Sequence, residues 1–346
     1  MRAESYFRHI PVFIPHLGCP HRCVFCDQRA ISGQTDFSLG GVREQIETAL
    51  ATIRNREQTR VEIAYFGGSF TAIPRQLMHQ LLTLAQTFVD DGRVDGIRFS
   101  TRPDAVPDQL LAELAPYSIS TIELGLQSLK DHVLTCSERG HTAAVAEDAC
   151  RRIVAHGYTL CGQMMLGLPE SSLEDELYTA RRICQLGAKE TRIYPTVVLS
   201  KTPLAQSMLC GEYTPLSVEQ AVERAAAVLE IFEDAGVRCL RIGLCENEGL
   251  HGQAVLGGAH HPALGEMVYA QRYQTRMRAA LMACGEKTLG ATAIFSVAPG
   301  MCSQAIGQRK SNVRALCRDF GLLRVIVQEN AELTSTQLRL DGVSGA

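Results

Sequence analysis

The chain has 346 residues, 46% of them hydrophobic, with a formal net charge of −3. That length supports a large packed core. The balanced charge excludes a global electrostatic funnel for nucleic acid, and no apolar run is long enough to cross a bilayer.

Short β-rich runs alternate with helical ones. Ile10 to Ile14 reads as a strand, followed by a Cys- and Gly-rich loop and a helix from Gly41 to Arg54. Strands are predicted over Val61–Phe66, Gly96–Thr101, Thr121–Leu126, Thr159–Leu166 and Thr191–Val198. Helices are predicted over Pro74–Val89, with Pro74 in the first turn, then Ala143–His156, Ser172–Leu186 and Leu216–Ala235. Six βα units in a row imply a parallel sheet covered by helices. The expected fold is α/β: a partial (β/α)6 TIM-like barrel, with an open doubly wound sheet as the alternative. After Val237–Leu244 the regularity breaks. Residues 1–245 read as the core barrel and 246–346 as a small C-terminal α/β extension.

Thirteen cysteines are an odd number, in a chain too long for a disulfide-stapled scaffold. With no signal-peptide pattern at the N-terminus, the reading is cytoplasmic, with no membrane partner. Three of the thirteen stand in Cys19-Pro20-His21-Arg22-Cys23-Val24-Phe25-Cys26, just after the first strand. Gly18 and Gly33 allow tight turns beside them. A loop of this spacing can point three thiolates at three irons of a cuboidal cluster. No fourth cysteine lies nearby, which leaves one iron open for a non-protein ligand. Zinc, with His16 or His21 as a fourth ligand, is the alternative.

C-x3-C-x2-C with an aromatic residue, Phe25, before the last cysteine resembles the signature loop of the radical S-adenosylmethionine (SAM) superfamily. That resemblance implies a [4Fe–4S] cluster on Cys19, Cys23 and Cys26, with SAM chelating the open iron. It implies reductive cleavage of SAM to a 5′-deoxyadenosyl radical that abstracts hydrogen from a substrate, with the protein supplying geometry. Tyr65-Phe66-Gly67-Gly68-Ser69 resembles the strand-end motif that meets the methionine amino group of SAM, with Ser69 at the usual glutamate position.

Further segments resemble the Elp3-like branch, the radical SAM half of the Elongator catalytic subunit. They are Ser100–Asp104, Ile122–Ser128, Glu138–Thr142, Met164–Pro169 and Ile193–Thr196. By this resemblance Arg139 faces the SAM carboxylate, and Gln127 and Gln163 hydrogen-bond SAM. Arg102 joins them at a strand end. Glu123 alternates with Gly125 and Gln127, so it points into the barrel and is a catalytic candidate. The branch implies a tRNA substrate and an electron donor such as flavodoxin or ferredoxin. It does not carry over acetyl transfer, because the sequence after residue 245 is too short for that domain. The basic stretch Gln308-Arg309-Lys310, with Arg314 and Arg318, is a candidate RNA contact or a solvated face. The alternative to the enzyme reading is a non-catalytic iron–sulfur or zinc-binding, RNA-associated regulatory module.

Overall fold

The computed structural model describes residues 6–14, 19, 23–27, 37–245, 254–285, 287–334 and 337–345. Seven parallel strands form one sheet in chain order: β1 (Tyr6–Phe13), β2 (Thr59–Phe66), β3 (Gly96–Thr101), β4 (Ile119–Gln127), β5 (Thr159–Leu166), β6 (Glu190–Pro195) and β8 (Arg238–Ile242). The sheet curls as a partial TIM-like barrel. It holds one strand more than the six read from the sequence. β8 pairs with β6 in parallel, Glu190 opposite Arg238 and Ile193 opposite Ile242.

Side chains alternate across each strand, and the two faces differ in chemistry. Ile63 and Tyr65 on β2, Ile97 and Phe99 on β3, Ile122, Leu124 and Leu126 on β4, and Met164 and Leu166 on β5 enter the main apolar core. The helices α1 (Leu39–Ala51), α2 (Arg75–Asp90), α3 (Asp108–Leu114), α5 (Ala143–Ala155), α6 (Leu173–Gln185) and α8 (Val218–Asp234) pack their apolar stripes there. On the other face stand Glu62, Arg98, Glu123 and Arg192, all buried. Burying whole apolar faces is what carries the charged inner one, since each buried apolar side chain contributes about 1.5–3 kcal/mol.

Local chemistry sets the helix ends. Ser172 and Ser217 form capping boxes with Asp175 and Gln220 at the starts of α6 and α8. Pro74 is the N-cap of α2 and not in its first turn, because its ψ of 129° keeps it extended. A short helix, α4 (Asp131–Cys136), follows β4. Between β6 and β8, β7 (Val197–Leu199) pairs antiparallel with β9 (Val255–Gly258), with α7 (Pro203–Leu209) after it.

The C-terminal part has its own core. α9 (Leu264–Cys284) lies against a three-stranded sheet of order β11 (Arg324–Glu329), β10 (Thr292–Val297), β12 (Leu338–Ser344). Tyr273, Met277, Phe295 and Leu316 are buried in it. Two helices follow β10, α10 (Cys302–Ile306) and α11 (Ser311–Phe320), parted where Arg309 and Lys310 take φ of 50° and 62°. Left-handed residues cannot continue a right-handed helix.

Candidate functional site

The C-terminal ends of the strands gather the residues singled out by the sequence. The Cys loop follows β1; Gly67 and Gly68 follow β2; Arg102 follows β3; Gln127 ends β4. In parallel βα barrels this is the face where ligands bind. Gly67 has φ of 87°, and a Cβ there would meet the Ile14 carbonyl oxygen at 2.7 Å, so only glycine lets β1 and β2 close at this point. Ser69 is fully buried. Its hydroxyl pairs with the Thr101 hydroxyl at 2.8 Å and accepts from the Arg102 N–H at 3.2 Å, which splints the ends of β2 and β3 together.

The Cys loop is held from two sides. Val24 donates its N–H to the Ser137 carbonyl, and the Val24 carbonyl accepts from Leu204 at the start of α7. Val24 packs with Val198, Leu204 and Ala205, and the half-buried Phe25 lies against that group. Two guanidinium groups reach the loop sulfurs. Arg139 Nη1 is 3.2 Å from Cys23 Sγ, and Arg102 Nη1 is 3.9 Å from Cys19 Sγ. Cys26 lies in the same turn, its N–H donated to the Cys23 carbonyl. Among the described residues no three His, Cys, Asp or Glu side chains converge as metal ligands; the three thiols share one loop without closing on one point. His16, His21, Gly18 and Gly33 lie outside the described residues.

Beside the loop is a shelf of buried polar atoms with no hydrogen-bond partner: Gln127 Oε1, Ser137 Oγ, Arg139 Nε and His141 Nε2. The backbone is contorted to make it. Gln127, Glu138 and Gly140 have φ of 64°, 50° and 72°. Non-glycine residues held this way mark sites where the surroundings enforce strain. Gly125 lies beneath, where a Cβ would stand 3.1 Å from Gln127 Nε2 and 3.2 Å from Arg139 Nη2. Burial pushes the His141 imidazole down to about 4, with Arg139 adding to the effect, so it is neutral near pH 7.

One layer deeper, Glu123 is fully buried and saturated. Arg98 Nε donates to it at 2.8 Å, Arg192 through Nε and Nη2 at 2.8 and 3.1 Å, and Gln163 Nε2 at 2.7 Å. Arg98 also bridges Glu62 at 3.1 Å and Glu190 at 2.8 Å. Burial works to raise the Glu123 pKa, but Arg192 and Arg98 outweigh it and hold the carboxyl below its ordinary value. Gln163 is thus engaged with Glu123, below the shelf.

The sequence reading did not single out Ser137, His141 or the Arg98–Glu190–Arg192 network. The alternation of Arg98 with Gly96 and Ser100, and of Glu190 with Arg192 and Tyr194, was the available signal for the network. Arg309, Lys310 and Arg314 are exposed, and Arg318 pairs with Asp319 at 2.7 Å.

A family model described as the Radical SAM superfamily matches residues 13–183, and one described as the Radical SAM C-terminal domain matches residues 188–274. An uncharacterized protein of Methanocaldococcus jannaschii is 29% identical over 231 residues, 64% of this chain and 70% of that protein. Elongator complex protein 3 of Schizosaccharomyces pombe is 26% identical over 261 residues, covering 63% of this chain and 48% of its own length. The tRNA uridine(34) acetyltransferase of Methanocaldococcus infernus is 23% identical over 309 residues, 78% of this chain and 57% of its own. This chain therefore spans about half the length of those two relatives. Among solved structures, the archaeal Elp3 of Methanocaldococcus infernus with an N-terminal deletion shares the fold, with a TM-score of 0.63 and 20% identity, over 80% of this chain and 64% of that one.

The donors at the mouth suit an iron–sulfur cluster with SAM beside it. Three thiols share one loop, and cationic N–H groups face two of them. Buried donors and acceptors wait for partners alongside, and each costs about 1–3 kcal/mol while unpaired.

Proposed function

The chain belongs to the radical SAM superfamily, and on that premise we propose that Cys19, Cys23 and Cys26 hold the [4Fe–4S] cluster and that SAM lies on the shelf beside it, facing a tRNA substrate. When bound, cluster and SAM supply a 5′-deoxyadenosyl radical by reductive cleavage, and the radical takes a hydrogen atom from the substrate. The residues of the chain position and shield that chemistry. Gly67 and Gly68 bring backbone close to the methionine end of SAM, and Ser69 fixes their loop. Gln127 accepts from SAM through Oε1, and Arg139 donates to it through Nε. Arg102 lines the same mouth, Phe25 packs the loop, and Gln163 marks the floor. Glu123, first read as a catalytic candidate, is assigned a positioning role: its oxygens are committed to Arg98, Arg192 and Gln163.

The observation that carries this reading is the concentration of unpartnered buried polar atoms on residues 127–141, directly beside the Cys loop. The tRNA substrate rests on the relatives whose names specify tRNA uridine or Elongator. A small reduced flavodoxin or ferredoxin is the proposed electron donor.

The test is anaerobic reconstitution followed by dithionite, SAM and bulk tRNA, with 5′-deoxyadenosine quantified by mass spectrometry. Product that depends on Cys23 and rises when tRNA is present is the expected result. Equal product with and without tRNA would remove the substrate assignment. No product from a fully loaded protein under both conditions would remove the site assignment as well.

A further inference from the structure

We propose that Arg139 and Arg102 act as positioning residues that set the reduction potential of the cluster, each aiming one N–H at a ligand sulfur. This inference rests on the cluster assignment above. Both side chains are buried, at 6% and 3% exposure. Each guanidinium is pinned on one side and presents Nη1 on the other. Arg139 gives Nη2 to the Gly125 carbonyl at 2.5 Å and aims Nη1 at Cys23 Sγ, 3.2 Å away. Arg102 gives Nε and Nη2 to Asp104, both at 2.9 Å, and aims Nη1 at Cys19 Sγ, 3.9 Å away. A second bond from Arg102 Nη2 to the Arg139 carbonyl, 3.2 Å, links the pair.

The fork shape of arginine makes this possible. Its donors are rigid with respect to one another, so anchoring one edge fixes where the other points. One-electron reduction adds negative charge to a cluster and its thiolates. Charge-assisted N–H···S bonds stabilise that added charge, most of all in a buried, low-dielectric setting. The potential of such clusters follows hydrogen bonds to the sulfurs and local charge. The two arginines are unequal. Arg102 is neutralised by Asp104, whereas the other bond from Arg139 goes to a neutral carbonyl, and Arg139 stands closer to its sulfur. Arg139 therefore carries the larger share.

The experiment is a potentiometric titration of the reconstituted full chain without SAM, with the reduced cluster followed by electron paramagnetic resonance. Wild type is compared with Arg139→Gln, Arg139→Lys and Arg102→Gln. The expected result is a midpoint shifted to lower potential in Arg139→Gln, a smaller downward shift in Arg102→Gln, and partial rescue in Arg139→Lys. Variants with full iron and sulfide content and the wild-type midpoint would overturn the proposal. So would an upward shift. Should Arg139→Gln hold no cluster, Arg139→Lys and Arg102→Gln give the reading by the same criteria. A wild type that takes up no iron is a different result, and it counts against the cluster assignment itself.

Discussion

Two buried polar regions lie one layer apart on β4, and they are built in opposite ways. Around Glu123 every carboxylate oxygen is matched by guanidinium or amide donors from β3, β5 and β6. Around Gln127 and Arg139, four buried polar atoms have no partner and three backbone angles are left-handed. A saturated network specifies structure, because its groups have no capacity left for a ligand. A shelf with open valences is stable only because the surrounding core enforces it, and it is completed by what binds there. The contrast separates a layer whose polar groups are all matched from one that keeps unmatched donors and acceptors.

The largest effect that sharpens this contrast is expected in the saturated layer. Glu123→Ala leaves Arg98 and Arg192 buried without their shared carboxylate, and breaking a buried pair costs about 3–5 kcal/mol. Urea unfolding of the chain before cluster loading should show that loss. A double variant that also replaces Arg192 with Met should recover part of it, because among the described residues Arg192 pairs with Glu123 and no other carboxylate, whereas Arg98 keeps Glu62 and Glu190. Unchanged stability in Glu123→Ala would erase the distinction between the two layers.

A smaller effect concerns pH. His9 faces Arg98 Nη1 at 2.8 Å and Glu62 at 3.6 Å, with Arg192 and Glu123 also near. Burial, helped by Arg98, pushes its imidazole down to about 4 from an ordinary 6.5. Between those values the unfolded chain binds a proton that the folded chain does not. Stability is therefore full above 6.5 and falls as pH drops toward 4, by ~1.4 kcal/mol per pH unit for one proton. His9→Gln should flatten that part of the stability–pH curve. An unchanged slope would mean that His9 does not titrate with the network.

Much of this was legible in the sequence. The alternation of Glu123, Gly125 and Gln127 against Ile122, Leu124 and Leu126 placed the first three on the inner face, and that is how β4 is built. The strand-end glycines and the cysteine spacing placed the mouth, because they act through local backbone geometry. Partners were not legible. Arg98 and Arg192 reach Glu123 from 25 and 69 residues away, a pairing that only the closed sheet creates. Half of the shelf was not legible either: Gln127 and Arg139 stood in the motifs, but Ser137 and His141 look like ordinary polar residues until the turn at Glu138 and Gly140 buries them. β8 lies inside Val237–Leu244, where the regular pattern ends, and was not counted among the six strands, although it completes the sheet edge. β12 was not legible because its alternation is short, Leu338 to Asp341, and none of its residues is fully buried.

The claim that the unsaturated shelf is the SAM site meets its most direct test in Gln127→Ala. This change removes one orphaned carbonyl and leaves Glu123 and its partners in place. Calorimetric titration of SAM into the anaerobically loaded protein should show binding weakened about tenfold or more, or ~1.4 kcal/mol. Thermal unfolding of the same variant without cofactors should be unchanged or raised. SAM binding at wild-type strength, together with a marked loss of stability, would contradict the account and return Gln127 to the role of a structural residue.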